Sequence, residues 1–81
     1  MAKFMIICDH TADECEAIDE ELNRLGPAKV YRGQEFHCSC PHGHHGGWVA
    51  VEGESAESIL AELPPVFGSH ANVYQIETIV F

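Results

Sequence analysis

Apolar residues run almost without interruption through "KFMIIC", positions 3–8, as in a strand covered on both faces. The segment after it changes period. Cys15, Ile18, Leu22 and Leu25 recur at spacings of three, four and three, one stripe of an amphipathic helix. Thr11 followed three residues later by Glu14 forms a capping box at its start, and Asp13, Glu14 and Glu16 crowd the first turn, where the helix dipole favours negative charge. Gly26-Pro27 stops the helix. Residues 28–38, "AKVYRGQEFHC", carry β-formers and predict a second strand, with a bulge at Gly33. Pro41, Gly43, Gly46 and Gly47 mark a turn, with the two adjacent glycines allowing a tight re-entry into "GWVAVEG", a third strand.

Ser55 is positioned to cap a second helix, although Ser58 at the third position does not fit the usual acidic partner of a capping box. Ala56, Ile59, Leu60 and Leu63 share one face of that helix, and Pro64-Pro65 end it. "NVYQIETIVF" alternates Tyr74, Ile76, Thr78 and Val80 against Gln75 and Glu77, which predicts a last strand to the end of the chain. The order strand, helix, strand, strand, helix, strand is the split βαβ, or ferredoxin-like, arrangement: an α+β fold of one domain over residues 1–81. Two helices then cover one face of a four-stranded antiparallel sheet. Strand one is apolar at both parities, with Phe4, Ile6 and Cys8 on one and Met5 and Ile7 on the other. A second copy packed sheet to sheet, giving a homodimer, would cover the open face.

Charge narrows the partners. Four Lys and Arg against thirteen Asp and Glu give a formal charge of -9, which repels nucleic acid and anionic membranes and favours cations. No window approaches the ~18 apolar residues of a membrane span, and the five-residue apolar run before Asp9 is too short for a secretory signal. A cytoplasmic address is the expectation, and there four cysteines point to metal or redox chemistry more than to disulfides.

The chemistry-bearing residues then fall together. "HCSCPHGHH", residues 37–45, holds two cysteines and four histidines. In the ferredoxin-like arrangement this hairpin tip shares an edge with the end of strand one, carrying Cys8 and His10, with the first turns of helix one, carrying Cys15, and with His70. Cys38-Ser-Cys40 has the period-two spacing that puts both sulfurs on one side of an extended backbone. Thiolates with imidazoles suit Zn(II), Ni(II) or Cu(I) and exclude Mg or Ca as natural occupants. The candidate ligands are Cys38, Cys40, His42, His44 and His45, with Cys8 or His10 added from strand one. Cys15, on the apolar stripe, reads as an inert buried thiol. Tyr31 and Trp48 read as core or dimer contacts, His70 as a loop residue, and the acidic face of helix one as a solvated surface.

The opening "AKFMII" and the second half, "GGWVAVEGESAESILAELPPVFGSHANVYQIETIVF", resemble a family of small bacterial ferredoxin-like proteins of unassigned function. Its features are a short start such as "FM-V", a Gly-Gly-aromatic entry into strand three ending in Val-Glu, a small-residue-rich second helix and an apolar last strand. The resemblance implies a dimeric α+β barrel and no catalytic residue; the hairpin "HCSCPHGHH" departs from the family pattern. Three functions remain open: a metal-binding protein for sensing, storage, delivery or structure; a small-molecule isomerase or monooxygenase with His10 as base; and a thiol redox switch at Cys38 and Cys40.

Overall fold

A computed structural model describes residues 1–81. Strand β1 (Ala2–Asp9) leads into helix α1 (Ala12–Leu25), followed by β2 (Phe36–Cys38), a 3-10 turn at Cys40–His42, β3 (Gly46–Gly53), helices α2 (Ala56–Ala61) and α3 (Pro65–Ser69), and β4 (Ala71–Gln75). The fold is α+β, with one four-stranded antiparallel sheet in the order β2-β3-β1-β4. No helix is long and apolar enough to cross a membrane.

One parity of the sheet builds the core. Phe4, Ile6 and Cys8 stand opposite Val51, Val49 and Gly47, and these side chains are buried with Tyr31, Ile59, Leu63 and Phe67. The other parity leaves Met5, Ile7 and Trp48 half-buried and Tyr74 exposed.

Helix α1 starts as the sequence predicts. Thr11 Oγ1 accepts from Glu14 N at 3.3 Å, and Glu14 Oε1 accepts from Thr11 N at 2.7 Å. That backbone donor chiefly holds the Glu14 carboxyl below its ordinary range. The inward stripe differs from the expected one. Leu22 and Leu25 are exposed, whereas Glu21 is buried at 4%. Its carboxylate accepts from Val66 N at 2.9 Å and Phe67 N at 3.0 Å. Helix α3 has Pro64 at its N-cap and so no side-chain cap of its own, and Glu21 takes up backbone donors that would otherwise be orphaned.

Five further expectations are corrected. The second strand covers only Phe36–Cys38, because residues 28–34 fold into turns closed by Tyr31 N donating to Ala28 O at 3.2 Å and Gln34 N to Tyr31 O at 3.0 Å. Gly33 there has φ 85, a left-handed turn conformation in place of a bulge, and Tyr31 reaches the core from the turn. Ser58 does complete the second capping box: its Oγ accepts from Ser55 N at 3.2 Å while Ser55 Oγ accepts from Ser58 N at 3.0 Å. A hydroxyl replaces the expected carboxylate. The prolines end α2 early, but Pro65 also begins α3, where a missing N–H costs nothing, so three helices are present and not two. Strand β4 ends at Gln75, paired with Phe4, because β1 offers little beyond that rung; Ile76 N donates to Lys3 O at 2.9 Å and then the ladder stops. Ile79, Val80 and Phe81 are exposed.

Replacing Glu21 by Ala should lower stability by about 2–3 kcal/mol, the range for a charge-assisted bond together with the buried donors it leaves behind. Urea unfolding measures this, and a loss under about 0.5 kcal/mol would remove Glu21 from its capping role. Glu14, whose folded carboxyl is held low, adds stability at neutral pH that disappears as pH falls below the ordinary carboxylate range. The stability gap between the wild type and Glu14→Gln should therefore close on acidification.

Candidate metal centre

The end of the β1–β3 ladder sets the site. Asp9 pairs with Gly46, and His10 N then donates to His45 O at 3.2 Å, one step beyond the strands. His10 and His45 are thus carried side by side, their rings 5.8 Å apart and tilted by 56°. The chain next enters α1, whose first bond, Cys15 N to Thr11 O at 2.9 Å, places Cys15 one turn in. On the other side β2 ends at Cys38, opposite Gly47, and Ser39 N donates to Gly46 O at 3.0 Å. Ser39 Oγ also hydrogen-bonds His44 O and lies 3.0 Å from His44 Nδ1. Gly43, at φ 94, closes the 3-10 turn in the left-handed conformation that glycine adopts without strain. These constraints fold Cys40 and His45 inward.

One ligand atom each from His10, Cys15, Cys40 and His45 lies within 4.8 Å of all the others, and all four residues are half-buried. Cys15 Sγ and Cys40 Sγ are 3.7 Å apart, and Cys40 Sγ is 3.3 Å from His10 Nε2. Zinc bonds of about 2.3 Å to sulfur and 2.0–2.1 Å to nitrogen give a regular tetrahedron with S–S edges of about 3.8 Å and S–N edges of about 3.6 Å. Two measured edges already match that figure to within about 0.3 Å. His45 Nδ1 is buried without a hydrogen-bond partner. A buried orphan of this kind costs about 1–3 kcal/mol, and a bound ion or a donor would relieve it. Four Cys and His donors this close could hold a transition-metal ion.

Cys8 supports the cluster from beneath. Its sulfur is buried and lies 3.6 Å from His10 Nδ1. Burial first, and then the Asp9 charge, push its thiol from 9.0 up to about 11. It stays neutral at physiological pH. His10 turns Nε2 toward Cys40 and Nδ1 toward Cys8; were Nε2 to bind an ion, Nδ1–H would donate to the Cys8 sulfur, an orienting contact behind a ligand.

The structure distributes the sequence-picked residues unevenly. His10, Cys40 and His45 come together, and Cys8 touches His10 from outside the group. Cys38, His42 and His44 are not members. Cys38 is exposed on the edge strand, its thiol pushed up chiefly by partial desolvation. The extended register assumed for Cys38 and Cys40 ends at Cys38, because the 3-10 turn begins at Cys40 and re-aims its sulfur. His42 is exposed, and His44 stacks on Trp48 with ring centres 6.1 Å apart and planes 14° from parallel. His70 Nε2 lies 3.3 Å from Glu14 Oε2. Cys15, which the stripe suggests is an inert core thiol, joins the cluster instead. The signal for it was present: it stands one turn beyond a cap that directly follows His10, so its helix begins where the strand donors end.

Gly46 and Gly47 also have a different role from tight re-entry. Neither has a positive φ, and both lie in β3. A Cβ on Gly47 would fall 2.5 Å from the Phe36 ring, and one on Gly46 would fall 3.1 Å from the Trp48 ring. Their bare backbones let rings pack beside the cluster. A cleft of about 600 Å³ opens next to it, lined by Ile18, Leu22, Tyr31 and Phe36 together with His10, Cys15 and Cys40.

The raised Cys8 thiol makes folding sensitive to alkali in a defined direction. Its contribution is complete below pH 9 and declines as pH rises toward about 11, because the unfolded chain ionises there first. Cys8→Ala should therefore lose less stability than the wild type between pH 8 and 11, read by urea midpoints; an equal loss would refute the assignment. No protein-family model, curated protein or solved structure matches the chain.

Proposed function

We propose that the chain is a transition-metal-binding module in which Cys15, Cys40, His10 and His45 hold one ion, with Zn(II) the natural occupant and Ni(II) or Cu(I) as competitors. The observation that carries this reading is the convergence of four soft donors within 4.8 Å, drawn from β1's end, α1, the 3-10 turn and the entry to β3. Two thiolates and two imidazoles fill a tetrahedron with no position left for a reactant, the arrangement of structural and regulatory zinc more than of catalytic zinc. The -9 charge of the chain attracts the ion, and the absence of a carboxylate from the cluster selects against Mg and Ca. A ligand set joining α1 to the hairpin stabilises a small core on loading, so that occupancy is felt as folding. Sensing, storage and delivery are all compatible with such coupling, in a reducing compartment such as the cytoplasm.

Strand order and the βαββαβ succession support a ferredoxin-like assignment, with α3 as an added turn of helix. Met5, Ile7, Trp48 and Tyr74 on the uncovered face support a homodimer formed sheet to sheet. A second reading, an isomerase or monooxygenase with His10 as base, draws on the 600 Å³ cleft that His10 borders. Both His10 ring nitrogens face sulfur, at 3.3 and 3.6 Å, which favours ligation over proton abstraction.

Zinc and cobalt titration of the purified chain tests the proposal. One ion per chain should bind, Co(II) should show thiolate charge transfer and a tetrahedral d–d spectrum, and saturation at ~100 Kd should add about 2.7 kcal/mol of stability. Cys15→Ser and Cys40→Ser should each weaken binding by ~100-fold or more, beyond what loss of an orienting neighbour causes, while Cys38→Ser should change it less than threefold. Undiminished binding in Cys15→Ser would falsify the ligand set. Sedimentation should give twice the 8.9 kDa chain mass, falling to one chain in Ile7→Lys.

A further inference from the structure

The two sulfurs of the proposed centre have a second use. Cys15 Sγ and Cys40 Sγ are 3.7 Å apart although 25 residues separate them in the chain, and all four cysteines are free. Both are half-buried, and they line the 600 Å³ cleft, as Cys8 and Cys38 also do, so a small solute has a way in; the 3.7 Å separation is what marks them as a pair. The remaining thiols are placed differently: Cys38 is exposed outside the cluster, and Cys8 is buried against His10. We infer that Cys15 and Cys40 are a redox-active pair, oxidised to a disulfide by hydroperoxides, and that this oxidation discharges the metal ion. The inference rests on the metal-binding reading and adds its regulation.

The chemistry balances. One thiol sulfur attacks a peroxide oxygen; the O–O bond breaks, an alcohol (or water, from hydrogen peroxide) leaves, and a sulfenic acid remains. The second sulfur attacks that sulfur; the S–S bond forms, the S–O bond breaks and water leaves. Two electrons pass from the sulfurs to the peroxide, and both thiol protons end on the departing oxygens. When the ion is bound, two solvent protons take their place and the ion is freed. A disulfide sulfur carries no thiolate charge and is a poor ligand, so oxidation removes two of four donors at once. Two imidazoles remain. A dithiol reductant reverses the step by exchange through a mixed disulfide.

Geometry separates this pair from the alternative in "CSC". A Cys38–Cys40 bridge would join neighbours in one hairpin and leave α1 untouched. The Cys15–Cys40 bridge ties α1 to the 3-10 turn, two of the four elements that the ion would tie. The fold therefore keeps its cross-link in both states, while the ion is held in only one. Oxidation becomes a release signal rather than damage.

The test loads the full chain with zinc, adds hydrogen peroxide stepwise, and follows zinc with a chromogenic chelator and thiols after denaturation. One equivalent of peroxide should release one zinc per chain and lower the free thiols from four to two, with dithiothreitol restoring both. Mass spectrometry after cleavage at acidic residues, which separates Cys8 from Cys15 at Glu14, should find Cys15 linked to the Cys40 segment. Cys38→Ser should respond as the wild type does, which fixes Cys40 as the partner. Linkage between Cys38 and Cys40, oxidation without linkage, or zinc retained against a hundredfold excess of peroxide would overturn the inference and leave the metal site standing. If the chain takes up no zinc, the metal reading and the release fail together. Mapping the metal-free chain then decides the pair alone: Cys15–Cys40 linkage supports it, and any other linkage overturns it.

Discussion

The hydrogen bond from His10 N to His45 O is where the fold hands over to the site. It continues the β1–β3 ladder by one rung past Asp9 and Gly46, after β1 has ended and before β3 begins. Everything near the cluster is measured from that rung. It carries two imidazoles side by side, immediately before the Thr11 cap of α1 and at the close of the hairpin that holds Cys40. A one-residue slip of β3 against β1 would turn Val49 and Val51 out of the core and His45 away from His10 together. The apolar alternation that builds the core therefore also specifies the donor geometry.

Stability and chemistry compete for the same small interior. Helix α1 does not bury a full apolar stripe: Leu22 and Leu25 remain exposed, and an apolar cleft lies beside Ile18. What holds the helix is polar. Its start is tied by the Thr11–Glu14 capping box, and its middle by the Glu21 carboxylate on α3. Directional contacts of this kind position a helix without filling the space beneath it, and that space is what keeps Cys15 and Cys40 reachable.

Much of this was legible in the sequence, and the remainder was not for identifiable reasons. Strand β1, helix α1 and its cap, strand β3 and the α+β class follow from period and capping chemistry. The convergence of donors on one edge follows from the order of elements. Turn chemistry hid the rest. Val30 and Tyr31 look like strand residues, yet Tyr31 serves the core from a turn, since burial rather than backbone state is what an aromatic ring needs. Cys38 and Cys40 look equivalent in an extended chain; a 3-10 turn beginning at Cys40 separates them. The stripe misassigns Cys15 and passes over Glu21 for a common reason. The stripe assigns a helix's inward face by hydrophobicity, and the inward face of α1 is chosen partly by a sulfur and a carboxylate that have partners waiting. Gly46 and Gly47 read as turn formers because nothing in a sequence announces a ring lying against bare backbone.

Glu21 has a mechanical consequence. Six residues separate it from Cys15, about 9 Å along the helix axis. On the proposed metal and redox reading, helix α1 is a beam pinned at two points: the Glu21 carboxylate on α3, and the Cys15 sulfur, whose partner would depend on the ion or on oxidation. Freeing the second pin leaves a lever that pivots about the first, with its swinging end at the Thr11 cap beside His10. The arm is short, and a few degrees of rotation move Cys15 by less than about 1 Å. On that reading the site unlocks while Glu21 still holds the helix to α3.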